Sequence, residues 1–153
     1  MQLTRQRSLP VSPRVAWNAL TDVKVLKACI PGCESLTAMS ANQFMVTVVA
    51  GVGPIRATIK GHIELQRHGD LDPPASYTLL FDGYGRFIGQ ARGEAHVQLQ
   101  PHADGSTVLR YGAKARVSGR FARAGAHFVD LAVQELAETF FTSLSDHVRR
   151  PPS

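Results

Sequence analysis

The sequence contains few cysteines, few aromatic residues and no long apolar run. Only two cysteines, Cys29 and Cys33, occur among its 153 residues. Without further Cys or His partners nearby they make a poor metal site, and a reducing cytoplasm would keep them as thiols. No apolar segment reaches the roughly 18 residues that a membrane span requires, and residues 1–5 lack the apolar core of a signal peptide. We therefore expect a cytoplasmic protein with no metal site.

The charge is also modest. A net charge of +5 with 19% charged residues suits contact with an anionic membrane surface or an acidic partner, and it does not indicate nucleic-acid binding. A chain of this length is most simply one domain that buries its own core. We predict a single domain over residues 1–148 and a disordered tail over residues 149–153, where two prolines occur.

Helix and strand signals divide the first third of the chain. The segment Gln2–Leu9 has the pattern of a strand. Ser12 followed by Pro13 predicts a helix start, because the Ser side chain can cap the first turn and a proline there loses no hydrogen bond. A second short helix is predicted from Val23 to Ala28, ending before Pro31.

From Glu34 onward the apolar residues recur at every second position, which is typical of antiparallel strands with one solvated face. Six strands are predicted here, and the first strand makes seven. The clearest apolar sets are Ile55, Ala57, Ile59, Gly61, Ile63 and Leu65; Tyr77, Leu79 and Phe81; Ala91, Gly93, Ala95, Val97 and Leu99; and Leu109, Tyr111, Ala113, Ala115 and Val117.

The chain closes with an amphipathic helix pattern from Phe121 to Val148. A strand, two short helices, six strands and one long helix predict an α+β fold. In its simplest form, a curved seven-stranded antiparallel sheet wraps around the C-terminal helix, and the first strand pairs with the last.

The apolar face of this sheet contains many Ala and Gly residues, which predicts a cavity rather than a dense core. The histidines and glutamates of these strands, such as His62 and Glu94, fall on the opposite face, so we expect no catalytic residues in the cavity. The predicted ligand-binding lining is Ile59, Ile63, Leu79, Phe81, Ala95, Tyr111, Ala113, Phe128, Ala132 and Leu136.

Successive hairpin turns alternate between the two ends of such a sheet, so three glycine-rich connections share one end with the start of the long helix. Their aromatic residues and arginines indicate an opening to a ligand or a membrane. The alternative is that the aromatic side chains fold inward and plug the core. The predicted mouth and membrane-contacting residues are Val52, Tyr84, Arg86, Phe87, Arg120, Phe121 and Arg123.

Four segments carry a resemblance that covers nearly the whole chain. They are Cys29-Ile30-Pro31-Gly32-Cys33-Glu34, Val52-Gly53-Pro54-Ile55, Gly83-Tyr84-Gly85 with Gly89-Gln90-Ala91-Arg92-Gly93, and Gly119-Arg120-Phe121-Ala122 with Gly125. In order and separation they resemble the CoxG family of carbon monoxide dehydrogenase subunits, within the superfamily of START-like and birch-pollen-allergen-like helix-grip domains.

The resemblance implies a helix-grip fold around an apolar cavity, and association with molybdenum hydroxylases of the carbon monoxide dehydrogenase type. It also implies a role in recruiting such enzymes to the membrane or carrying a quinone to them. Some relatives have a C-terminal hydrophobic anchor, whereas this sequence ends at Ser153. We therefore expect any membrane contact to be peripheral, at the inner face of the cell membrane.

The expected function is thus that of a binding protein for a lipophilic ligand, with a quinone as the candidate and no covalent cofactor. Tyr77 and Tyr111 are the candidate hydrogen-bond donors to its head. The alternative is a small helix-grip enzyme, similar to a cyclase or dehydratase, that acts on an apolar substrate.

Overall fold

The computed structural model describes residues 2–52, 55–86, 89–118 and 126–149. Within these ranges the chain forms seven strands and three helices. In order they are β1 (Gln2–Leu9), α1 (Pro13–Leu20), α2 (Val23–Cys29), β2 (Cys33–Ser40), β3 (Gln43–Val52), β4 (Ile55–His68), β5 (Ser76–Gly85), β6 (Gly89–Pro101), β7 (Thr107–Val117) and α3 (Ala126–Arg149).

The strands form one antiparallel sheet in the order β1-β7-β6-β5-β4-β3-β2. The pairing of β1 with β7, with Arg5 opposite Tyr111, confirms that the first strand joins the last. All other neighbours are consecutive in sequence, as expected for hairpins. The predicted α+β architecture, a curved seven-stranded sheet with two short helices after its first strand and a long C-terminal helix, is confirmed.

The helix starts follow the local sequence. The Ser12 hydroxyl accepts a hydrogen bond from the Val15 amide, and Pro13 occupies the first helical position. The Asp22 carboxylate caps α2 through the Lys24 amide at 2.8 Å. At the other end of the chain, α3 includes Arg149, where the sequence analysis predicts the start of a disordered tail. Residues 150–153 lie outside the described residues.

A densely packed core fills one end of the concave face of the sheet. Trp17 of α1 meets Tyr77 of β5 edge to face, with ring centroids 5.1 Å apart. Tyr111 of β7 stacks on Phe141 of α3 at 4.2 Å. The buried members of this core are Leu9, Ala16, Trp17, Ala19, Leu20, Val25, Cys29, Leu65, Tyr77, Val97, Leu99, Leu109, Tyr111, Phe141 and Leu144.

Among the described side chains of α3, the most deeply buried lie in its C-terminal half. Leu144 is fully buried and Phe141 nearly so. Nearer the N-terminus, Leu131 is 51% exposed and Leu136 42% exposed. The dense core therefore lies beneath the C-terminal half of α3.

Candidate functional site

A cavity of about 260 Å³ lies between the concave face of the sheet, α3 and the loop after α2. Among the described residues, those that line it carry no charged or hydrogen-bonding side chain, which suits a hydrocarbon ligand. The lining residues are Ile30, Pro31, Val48, Ile59, Phe81, Leu136 and Phe140. We call this cavity the apolar pocket. The exposure of Leu136 places part of its wall at the surface of the molecule.

The loop after α2 is held over the apolar pocket by Gly32. This residue has a φ of +71°, a backbone conformation that favours glycine. Its carbonyl oxygen accepts a hydrogen bond from the Val49 amide at 2.9 Å. A Cβ atom at position 32 would lie only 2.1 Å from the Val49 carbonyl oxygen. Glycine therefore lets the loop contact β3 directly, and this contact brings Ile30 and Pro31 to the pocket.

The floor of the apolar pocket is shaped by Phe81. Its ring lies against the backbone at Gly61 and Gly83, where a Cβ atom would come within 2.6 Å of the ring in either case. The space beside these two glycines is thus occupied by an aromatic ring of the protein itself. At Gly93 the nearest atom to an added Cβ would be the Lys114 carbonyl oxygen at 3.3 Å.

The structure distributes the predicted ligand-binding residues over several places. Ile59, Phe81 and Leu136 line the apolar pocket. Leu79, Tyr111 and Ala113 pack with the dense core. Ile63 packs beside Leu36, Phe44 and Val46 in a smaller cluster, and Ala95 is half-buried. Phe128 and Ala132 lie on α3, but their side chains are outside the described residues.

Four lining residues were missed by the sequence analysis: Ile30, Pro31, Val48 and Phe140. Val48 and Phe140 carried a usable signal, since both belong to apolar patterns that the sequence displays. Ile30 and Pro31 follow a short helix as a turn, and only the contact of Gly32 with β3 turns them toward the pocket.

The predicted mouth residues lie mostly at the limits of the described segments. Val52 ends β3, and Arg86 is exposed in the turn after β5. Tyr84 is 65% exposed and pairs with Lys60 and Gln90 across the sheet, which places it on the convex face. Phe87, Arg120, Phe121 and Arg123 lie outside the described residues.

The histidines and glutamates of the central strands lie on the convex face, away from the apolar pocket. Thr78, only 3% exposed, lies between two imidazoles. Its Oγ1 is 2.6 Å from Nε2 of His68 and 2.9 Å from Nδ1 of His96. Nε2 of His96 is in turn 3.3 Å from Glu94. This polar chain lies on the opposite side of the sheet from the pocket.

The sequence predicts an apolar concave face, but three arginines lie on it. Arg67 of β4 stacks over Trp17, with its guanidinium carbon 5.3 Å from the ring centroid. On β1, Arg5 and Arg7 pair with Tyr111 and Leu109 and share their face. The inward direction of β1 depends on its register with β7, far away in sequence, so the local pattern could not reveal it.

The cysteines are free thiols. Cys29 is buried in the dense core and Cys33 begins β2. Burial raises the pKa of both thiols, so both stay protonated and unreactive at neutral pH. Among the described residues no group of three or more His, Cys, Asp or Glu side chains could hold a metal ion. None of the helices in these ranges is long and apolar enough to cross a membrane.

Residues 6–149 match the family of the carbon monoxide dehydrogenase subunit CoxG. The chain belongs to this family. As a CoxG family member it keeps the START-like helix-grip fold that its motifs implied. The comparison with curated proteins found no match.

Several solved structures share this fold. A conserved protein from Geobacillus kaustophilus is 26% identical, with a TM-score of 0.85 over 97% of this chain and 95% of that one. A START superfamily protein from Mycobacterium smegmatis is 10% identical, with a TM-score of 0.68 over 96% of each chain. The Zhui aromatase/cyclase from Streptomyces sp. R1128 is 13% identical, with a TM-score of 0.68 over 98% of this chain and 94% of that one. At such low identity the last two show the fold alone.

Proposed function

We propose that this protein binds a lipophilic molecule, an isoprenoid quinone, on the concave face of its sheet. We further propose that it carries this ligand to a molybdenum hydroxylase of the carbon monoxide dehydrogenase type. The observation that supports ligand binding is the apolar pocket, whose seven lining residues are all apolar. The identity of the partner is suggested by membership of the CoxG family.

The volume of the pocket fits part of such a ligand. An engineered apolar cavity of about 150 Å³ binds benzene, so about 260 Å³ holds a small ring or a few units of a hydrocarbon chain. Leu136 lies at the surface and in the pocket wall. A longer tail therefore has a route out of the pocket beside α3.

Binding of the hydrocarbon tail requires no contact with a charged side chain. Burying a methylene group contributes about 0.8 kcal/mol, so about ten of them contribute roughly 8 kcal/mol, within the range of roughly 4–15 kcal/mol that association costs. An apolar wall is sufficient for affinity, and the ligand's head must then determine specificity.

A carrier fits the pocket better than an enzyme does. General acid–base catalysis requires a titratable group within hydrogen-bond distance of the reacting atoms, and none of the seven lining residues has one. The Zhui aromatase/cyclase shares the fold, which leaves catalysis as the alternative. That alternative predicts turnover of a bound substrate, whereas a carrier releases its ligand unchanged.

The proposal is tested by extracting the purified protein with organic solvent for mass spectrometry and by titrating it with decylubiquinone. Ile59→Trp fills the pocket from β4, and we expect it to weaken binding at least tenfold. Thr58→Trp adds the same side chain on the exposed face of the same strand and should bind as the wild type does. If wild type and Ile59→Trp bind equally, or neither binds, ligand carriage is wrong. Co-purification from the native organism tests the hydroxylase partner separately.

A further inference from the structure

Two arginines of the edge strand point toward the concave face beside Tyr111. In an antiparallel pair, directly opposed residues project to the same side of the sheet. Arg5 is opposite Tyr111, and Arg7 is opposite Leu109. Both partners belong to the dense core, so the two arginine side chains extend along the side of the sheet that α3 covers.

A single carboxylate faces this pair. Glu138 of α3 has one oxygen 3.8 Å from Nε of Arg5 and the other 3.9 Å from Nη2 of Arg7. Both distances are too long for hydrogen bonds.

The hydrogen-bonding capacity of Arg7 is only partly used. Its Nη2 donates to the Thr142 hydroxyl at 3.1 Å. Its Nη1 is buried, and in the part of the chain that the structure describes it has no hydrogen-bond partner. A buried donor without an acceptor is costly, and an oxygen atom supplied by a ligand would remove that cost.

The Tyr111 hydroxyl is a second donor at the same place. Stacking on Phe141 fixes its ring. Burial is the main cause of its raised pKa; the charge of Glu138 and a hydrogen bond to that carboxylate add to the shift, while Arg7 and Arg5 oppose it. The phenol is therefore protonated at neutral pH, and a ligand oxygen could take the place of Glu138 as the acceptor of its proton.

Small residues lie on the concave face between Tyr111 and the apolar pocket. Phe81 of the pocket is opposite Gly93, which is opposite Ala115, and in the next row Ala95 is opposite Ala113. These small residues are half-buried on the face of the sheet that α3 covers. Tyr111 lies on the same face of β7, one row of paired residues beyond Ala95 and Ala113.

We propose that Nη1 of Arg7 and the Tyr111 hydroxyl form the head-group site, which binds an acceptor oxygen on the ligand. The tail of the same ligand crosses these small residues into the apolar pocket. This inference rests on the proposed function for the tail. The shared chemistry of the head is a carbonyl or carboxylate oxygen, and a quinone supplies the first.

Three ligands with the same decyl tail separate the possibilities. Decylbenzene has no acceptor oxygen, decylubiquinone has neutral carbonyl oxygens, and 4-decylbenzoate has a carboxylate. Their affinities are compared by displacement of a bound fluorescent lipophile. We expect both oxygen-bearing ligands to bind about tenfold more tightly than decylbenzene, the effect of one hydrogen bond to a charged donor.

Variants then locate the effect. In Arg7→Met the advantage of the oxygen-bearing ligands should vanish while decylbenzene binds as before, and Tyr111→Phe should lose part of it. Arg116→Met removes an exposed arginine farther along β7. Arg110→Met removes an exposed arginine of β7. Both controls should retain the advantage, and melting temperatures check that each variant folds.

The outcomes are distinct. Equal affinity for all three ligands in the wild type, or an advantage that persists in both Arg7→Met and Tyr111→Phe, overturns the head-group site and leaves the carrier proposal standing. Failure of all three to bind overturns both. A clear preference for 4-decylbenzoate over decylubiquinone, lost in Arg7→Met, supports the head-group site and contradicts a quinone as the ligand.

Discussion

At the scale of single residues, Phe81 shows how a glycine-rich strand face is used. The alternation of β4 and β5 places Gly61, Gly83 and Phe81 on one face, and in the sequence a glycine there suggests empty space. In the structure the ring of Phe81 occupies the space beside both glycines. The glycines thus make the pocket floor flat and aromatic, and the space left for a ligand lies above that ring.

Tyr77 gives a pH-dependent prediction at the same scale. It is 1% exposed, and burial raises its pKa well above the ordinary value of 10.0. Because the folded-state pKa is raised, the contribution of the neutral Tyr77 phenol to stability is fully present below the unfolded-state pKa. It is lost as the pH rises above that value. Beyond a pH of about 10, this tyrosine should lower the free energy of unfolding by about 1.4 kcal/mol per pH unit.

The measurement is urea unfolding between neutral pH and a pH of about 11. Tyr77→Phe should show a shallower decline than the wild type, because the variant has no phenol to ionise in the unfolded chain. Tyr84→Phe, at an exposed position, serves as the control and should decline like the wild type. Parallel declines in all three proteins would contradict the assignment to Tyr77.

At the scale of elements, the two halves of α3 have different tasks. Leu144 is fully buried between the sheet and the short helices, whereas Leu136 is 42% exposed and lines the apolar pocket. Truncation of a buried leucine costs about 2–5 kcal/mol, and the cost falls where the site is open. One helix therefore contributes a buried core residue at one end and part of the pocket wall at the other.

Leu144→Ala should lower the free energy of unfolding by about 2–5 kcal/mol and leave the affinity of the remaining folded protein for decylubiquinone nearly unchanged. Leu136→Ala should show the reverse, with a loss of stability below about 1 kcal/mol and clearly weaker binding. Chemical unfolding and ligand titration of both variants make the comparison. Equal losses of stability would show that the N-terminal half of α3 packs as tightly as the rest.

At the scale of the whole molecule, the glycine-rich end should meet anionic lipid. Arg86 is exposed there, and an arginine near an anionic surface contributes roughly 1 kcal/mol. The combined variant Arg86→Glu, Arg120→Glu and Arg123→Glu should bind weakly to phosphatidylglycerol vesicles in co-sedimentation. Its affinity for decylubiquinone in detergent should be nearly unchanged.

Arg110→Glu reverses an exposed charge on β7 and serves as the control; vesicle binding should change little. If the triple variant sediments with vesicles as the wild type does but loses ligand affinity, these arginines contact the ligand or a partner. Membrane contact at this end would then be wrong.

Much of the fold could be predicted from the sequence because its signals are local. Ser12 and Pro13 mark a helix start, and the alternation from Ile55 onward marks strands and their faces. The site depends on distant contacts instead. Arg7 faces inward because β1 aligns with β7, and Ile30 reaches the pocket because Gly32 contacts β3. Neither of these long-range contacts can be predicted from the local sequence pattern.

The uneven packing of α3 has a consequence for how this protein can change over generations. Substitutions in the dense core around Leu144 must preserve the fold. Substitutions around the apolar pocket are constrained mainly by the ligand that the pocket binds. Ligand preference can therefore drift one side chain at a time without loss of the fold.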